Sequence, residues 1–236
     1  MSIFSGFLAK KALILQSKNK VNEAHAIYEE LLAKGKLKQA RYLLAYSVLL
    51  IKKYEFSKAK EIILMAEKCN ELSDEQKKQI YIYYAICLFK LGEQGRAIQL
   101  LEKEHRNRTS GLLQQTLGYF YIENNAFDDA LAYITESLEY DDEDSIVLDN
   151  MGQYYYRKPE PNKEKALYYF KKAIQIKPNQ IDTLYFLALY DIENQNYPRA
   201  IEKLETALKG NFSPLNYVNP QQLNKMLMEL KNKVAQ

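Results

Sequence analysis

The stretch at residues 145–178, SIVLDNMGQYYYRKPEPNKEKALYYFKKAIQIKP, decides the fold. Its first half places Leu148, Met151 and Tyr155 three and four residues apart, the spacing of one helix face, with Gly152 beside them where a second helix can come close. Its second half repeats the spacing with Ala166, Phe170 and Ala173. Between the halves, Pro159 and Pro161 stop one helix from running through, because proline lacks a backbone N–H and its ring clashes with the preceding turn. The segment reads as two helices joined by a turn, the second anchored by an alanine with a large apolar residue four positions on.

That anchor recurs along the chain. Ala24 and Tyr28, Ala59 and Ile63, Ala97 and Leu101, Ala130 and Ile134, Ala166 and Phe170, and Ala200 and Leu204 form the series, with successive alanines 35, 38, 33, 36 and 34 residues apart. Val21, Phe56, Phe127 and Tyr197 stand three residues before four of these alanines. A small residue lies twelve before each of five, at Ala12, Ser47, Ala85, Gly118 and Ala188; in the fifth unit Gly152 lies fourteen before Ala166. A period near 34 with fixed packing positions marks a helical repeat array.

The residues quoted resemble the tetratricopeptide repeat, whose 34-residue motif has Leu at position 7, a small residue at 8, Tyr at 11, Ala at 20, Phe or Tyr at 24, Ala at 27 and Pro at 32. The fifth unit matches with Met151, Gly152, Tyr155, Ala166, Phe170, Ala173 and Pro178, the fourth with Leu117, Gly118, Tyr121, Ala130, Ile134 and Ser137, and the sixth with Leu184, Leu187, Ala188, Ala200, Leu204 and Ala207. Asp191 in the sixth, Glu104 in the third and Lys11 and Leu15 in the first depart from it. The resemblance implies an all-α superhelix (a tetratricopeptide-repeat solenoid) and one domain over 1–236. Its repeats are expected at about 5–38, 40–72, 78–110, 111–144, 145–180 and 181–214. Ser73 with Gln76 fits a capping box opening a helix after an extended connection. Asn219 before Pro220 fits a helix start, and a capping helix is expected over 219–235 with Leu223, Leu227, Leu230 and Val234 on one face.

Composition narrows the function. Apolar residues make up 47% and charged residues 27% of the chain, the balance of an ordinary folded protein. No apolar run reaches 18 residues, and the apolar N-terminus is broken by Lys10 and Lys11, so neither a membrane span nor a signal peptide is expected. Cys69 and Cys87 are too few and too far apart for a disulfide framework, and they read as thiols of a reducing, cytoplasmic setting, with a bacterial source expected. Charge is uneven: residues 1–60 hold 12 Lys and Arg against 4 Asp and Glu, whereas residues 109–156 hold 10 acids and no base. That asymmetry orients partners or a second copy of the chain, or it is drift in a solvated surface.

No residue pattern carries catalysis. His25 and His105 lack a second ligand at metal spacing, and no nucleotide-binding, metalloprotease or hydrolase motif occurs. The run Asp141-Asp142-Glu143-Asp144 precedes a helix start, where the dipole stabilises acids. His105 to Arg108 and the lysine pairs at 10–11 and 52–53 read as solvated faces, and no nucleic acid, cofactor or metal is expected. The expected function is a non-enzymatic interaction scaffold.

By the resemblance, the first helices of the repeats line an inner groove. The face maps to Leu44, Val48 and Ile51; Ile82, Ile86 and Phe89; Gln115, Tyr119 and Ile122; Asp149, Gln153 and Tyr156; and Tyr185, Leu189 and Ile192. The partner-binding residues expected are Leu44, Val48, Ile51, Ile82, Ile86, Phe89, Tyr119, Gln153, Tyr185 and Leu189. Positions 5 and 9 carry none of the Lys or Asn with which relatives hold a peptide carboxylate. An apolar groove suits a partner helix or extended peptide; the other reading is that the chain fills the groove itself. Residues 1–20, with Ile3, Phe4, Phe7 and Leu8 beside Lys10 and Lys11, offer a membrane-peripheral alternative at the inner face, and self-association is a third.

Overall fold

The computed structural model describes residues 3–107 and 110–234, without the side chains of Ile3 and Phe4. Readings that rested on those two side chains, on Arg108 or on Ala235 lie outside the described residues. The chain divides into two compact units, Met1–Arg108 and Thr109–Gln236.

The first unit holds three hairpins: α1 (Ile3–Ser17) with α2 (Val21–Ala33), α3 (Ala40–Lys52) with α4 (Phe56–Glu67), and α5 (Asp74–Lys90) with α6 (Gln94–Asn107). The second holds α7 (Gly111–Glu123) with α8 (Phe127–Tyr140), α9 (Ser145–Arg157) with α10 (Lys163–Ile176), α11 (Ile181–Glu193) with α12 (Tyr197–Leu208), and then a single helix, α13 (Pro220–Val234). Every helix pair that the period predicts is present. α5 starts at Asp74, four residues before the expected repeat boundary, because Ser73 and Gln76 close a reciprocal capping box there.

The anchors explain why the hairpins close. All six alanines are fully buried, and so are Tyr28, Ile63, Leu101, Ile134, Phe170 and Leu204, one turn further along the same face. Opposite them lie the small residues. A Cβ added to Gly118 would stand 2.9 Å from Cγ1 of Ile134, and one added to Gly152 would stand 2.6 Å from the ring of Phe170, so the helix axes approach only because no side chain intervenes. Hairpins one, two, three, four and six turn through a residue of positive φ: Asn19, Tyr54, Gly92, Asn125 and Gln195. The fifth turns instead through the segment with Pro159 and Pro161, and Asn162 accepts the Lys165 N–H to open α10.

Within the first unit, Tyr28 and Tyr46 stack at 4.9 Å, and Glu29 accepts from the Tyr46 hydroxyl and from Nζ of Lys58 at 2.6 Å, linking α2, α3 and α4. In the second, Phe170 and Phe186 stack at 4.9 Å between successive hairpins. α13 opens with a reciprocal box between Asn219 and Gln222 and lays Leu223, Leu227 and Leu230 against Ala200, Leu204 and Ala207 of α12. Val234, expected on that face, is exposed at the helix end. No described helix is long and apolar enough to cross a membrane.

Candidate functional site

Inside the second unit, the first helices of the hairpins carry polar side chains that bond to one another about one repeat apart. Asp144 caps α9 by accepting the backbone N–H groups of Ile146 and Val147 at 2.8 and 3.2 Å, and its other oxygen accepts from Gln115 of α7. Asn150 of α9 donates to the Gln115 carbonyl, 3.1 Å away and 35 residues back. One turn into α9, Asp149 accepts from Gln153 of its own helix at 2.7 Å and from the Thr183 hydroxyl of α11 at 2.5 Å. Gln180, just before α11, donates through Nε2 to the Ser145 carbonyl at 3.0 Å. Asp182, in the first turn of α11, accepts from Asn216 at 2.9 Å and from the backbone N–H groups of Tyr217 and Val218 at 3.0 and 3.3 Å, which fastens the loop after α12.

These residues border a cleft of about 440 Å³ within the unit. Gln115, Thr116, Asp149, Asn150, Gln153, Gln180 and Asp182 form its polar wall, Leu112, Tyr119, Ile146, Ile181 and Leu215 its apolar contacts, and Lys177 and Lys209 stand exposed at its mouth. Asp149 and Asp182 are both buried. Burial, and after it the charge of Asp182, raises the Asp149 carboxyl above the usual carboxylate range, against the bonds from Thr183, Gln153 and Gln180. Burial likewise raises Asp182, against its bonds from the loop. Among the described residues neither carboxylate forms an ion pair. Oε1 of Gln180 is buried and accepts no hydrogen bond. The arrangement can accept hydrogen bonds and hold positive charge. No group of three or more His, Cys, Asp and Glu is placed to hold a metal ion among the described residues.

The residues expected to bind a partner distribute as follows. In the first unit Leu44, Ile51, Ile82, Ile86 and Phe89 are buried and Val48 is half-buried. In the second, Tyr119 and Gln153 are buried and come together at the cleft, while Tyr185 and Leu189 are half-buried, with Tyr185 against the rings of Phe186 and Tyr217. The face read as an apolar strip is thus mostly covered by the chain, and where it borders a cleft it is lined largely by amides and carboxyls. The expectation left out Gln180, Asp182, Thr183 and Asn150. Their signal is polar residues one period apart, as in Asp149 and Thr183 or Asp182 and Asn216, each 34 apart. On α1, Phe7 is 66% and Ile14 45% exposed, with Lys10, Lys11 and Lys18 around them.

No protein-family model matches the sequence, and no curated protein matches it. Solved structures do match in shape. A tetratricopeptide-repeat protein from Parabacteroides merdae superposes with a TM-score of 0.78 at 13% identity, over 98% of this chain and 85% of that one. PilW, a type IV pilus biogenesis factor, gives 0.65 at 18% identity, over 96% of this chain and all of that one. The C-terminal part of a repeat protein from Cytophaga hutchinsonii gives 0.56 at 21%, over 85% and 78%. The chain has the tetratricopeptide-repeat fold: among the described residues, six helix-turn-helix hairpins in succession, with a single helix after the last.

Proposed function

We propose that this protein is a non-enzymatic scaffold that seats a segment of a partner protein on the first helices of its hairpins, with the cleft of the second unit as the principal seat. The observation that carries this is the wall of Gln115, Asn150, Gln153 and Gln180 along one cleft. Amide side chains both donate and accept, which is what an extended backbone needs for its own N–H and C=O groups. Tyr119, Tyr185 and Leu189 add apolar contact in that unit. In the first unit Leu44, Ile51, Ile82, Ile86 and Phe89 are buried and Val48 alone of that stripe is half-open, so the seat is placed in the second unit. PilW, of like fold, is a pilus biogenesis factor, and an assembly role of that general kind in the cytoplasm is consistent with the reading.

The test is to pan a random peptide library against the full chain and map contacts with a photo-crosslinker placed at Asn179 on the cleft or at the exposed Tyr168 of α10. Crosslinks at Asn179 are expected; crosslinks at Tyr168 alone would overturn the cleft as the seat. A second reading rests on the exposed Phe7 and Ile14 among lysines, which suits an anionic membrane surface. Flotation with phosphatidylserine vesicles that is lost in Phe7→Ser would support it, and no flotation of the parent chain would sink it.

A further inference from the structure

A carboxylate taken out of water is costly unless a counter-charge stands beside it. Asp149 and Asp182 are both buried at one cleft and form no ion pair among the described residues. They differ in what their hydrogen bonds do. Asp182 holds three donors from the loop after α12, which accounts for it as a structural tie. Asp149 accepts from Thr183 and Gln153, with a further contribution from the Gln180 amide, all of them neutral, and an ionised carboxyl offers about four acceptor positions. Gln180 points the same way independently: it is 8% exposed, it lines the cleft, its Nε2 is used by Ser145, and its Oε1 accepts nothing. The base of the cleft has acceptors to spare, and what it lacks is a charged donor.

We propose that the cleft takes a single lysine or arginine side chain of the bound polypeptide, held at Asp149 and at Oε1 of Gln180. This rests on the peptide-binding reading and names the group recognised. The methylene stem of either side chain would lie along Ile146, Ile181 and Leu215, leaving only the charged head at the base. Lys177 and Lys209 at the mouth repel further positive charge, so the ligand carries one isolated basic residue rather than a basic run. The cation also relieves the burial that raises the Asp149 carboxyl.

The experiment uses the full chain and peptides panned from a random library, with anisotropy as readout. Each lysine of a selected peptide is replaced by norleucine and each arginine by citrulline, and every peptide is measured on the parent and on Asp149→Asn. One replacement is expected to weaken binding about tenfold or more on the parent, the worth of hydrogen bonds to a charged group. On Asp149→Asn the original and replaced peptides should bind alike. Peptides that crosslink at Asn179 yet change within about twofold on every replacement would overturn the cation proposal and leave peptide binding standing. An equal loss on the parent and on Asp149→Asn would overturn it too, by placing the cation elsewhere. Failure to crosslink any peptide at Asn179 would overturn both. If Asp149→Asn loses its helical circular dichroism, Gln180→Met replaces it under the same criteria, and the replacements on the peptide leave the protein untouched.

Discussion

The first unit buries the polar side chains of Ser5 and Ser47; the second buries Gln114, Thr116, Ser137, Asp149, Asn150, Gln153, Gln180, Asp182 and Thr183. Both are built from the same hairpin, with the same alanine anchors. The difference lies mainly in the first helices, which bury almost only apolar and tyrosine side chains in one unit and add amides, hydroxyls and carboxyls to their apolar residues in the other. An apolar interior is held by area removed from water and is indifferent to pH. A polar interior is held only while each group keeps its partner, and it responds to protonation and to ligands. One architecture therefore carries a part suited to rigidity and a part suited to recognition.

Four experiments bear on this contrast. The largest effect is expected from deleting residues 219–236, which strips the burial of Leu223, Leu227 and Leu230, worth about 5 to 9 kcal/mol before compensation. The second unit should then self-associate or melt early, as read by sedimentation and thermal unfolding; a truncated chain as stable and monomeric as the parent would show that α13 caps nothing. Next is Ile82→Asp in the first unit. Ile82 is fully buried in an apolar setting, so the charge should cost about 3 to 5 kcal/mol in urea unfolding. Retention of parent stability would mean that the first unit opens as readily as a groove.

Smaller effects separate the hairpins themselves. Gly152→Ala should cost about 1 to 3 kcal/mol, because its Cβ would meet the Phe170 ring and the packed pair cannot give way freely. The corresponding Ser47→Ala already fits a Cβ and should cost no more than its hydrogen bond to the Leu44 carbonyl, about 1 kcal/mol. The last effect concerns pH. Folding raises the Asp149 and Asp182 carboxyls, so from about pH 4 upward the folded chain holds protons that the unfolded chain has lost. The folded state binds more protons there, so these two groups make stability fall as pH rises toward neutrality. Asp149→Asn should flatten that fall, matching the parent near pH 4 and exceeding it near pH 8. A parent whose stability rises over the same range while Asp149→Asn shows the same slope would contradict the assignment.

Much of the fold was legible because it rests on local rules. The six alanines, the Ser73 capping box, the Asn219 cap and the proline turn each follow from chemistry within a few residues, and each stands where the sequence places it. The site was less legible. Helical periodicity shows which residues share a face; whether that face meets solvent or the next first helix depends on the approach of the neighbour, and the same leucines and isoleucines serve either way. Leu44, Ile82 and Ile86 were read as one stripe lining an open groove and are covered. Gln115, Asp149 and Gln153 were visible on the same face, but Thr183 and Gln180, which decide what Asp149 experiences, come from the next hairpin. The third repeat was bounded at 78 from the motif, while its first helix opens at Asp74 behind the Ser73 box that the sequence showed.

The turn of the fifth hairpin has a further consequence. Its longer segment with Pro159 and Pro161 adds two residues between the helices, and Gly152 sits two residues farther from Ala166 than its counterparts sit from their alanines. The turn takes up the extra length, so Gly152 still faces Phe170. Over generations such a turn can gain or lose length freely, while the two partners across the helix contact must change together or not at all. The fold of this hairpin is thus carried by the paired contact across its helices, and two more residues in the turn leave Gly152 against Phe170.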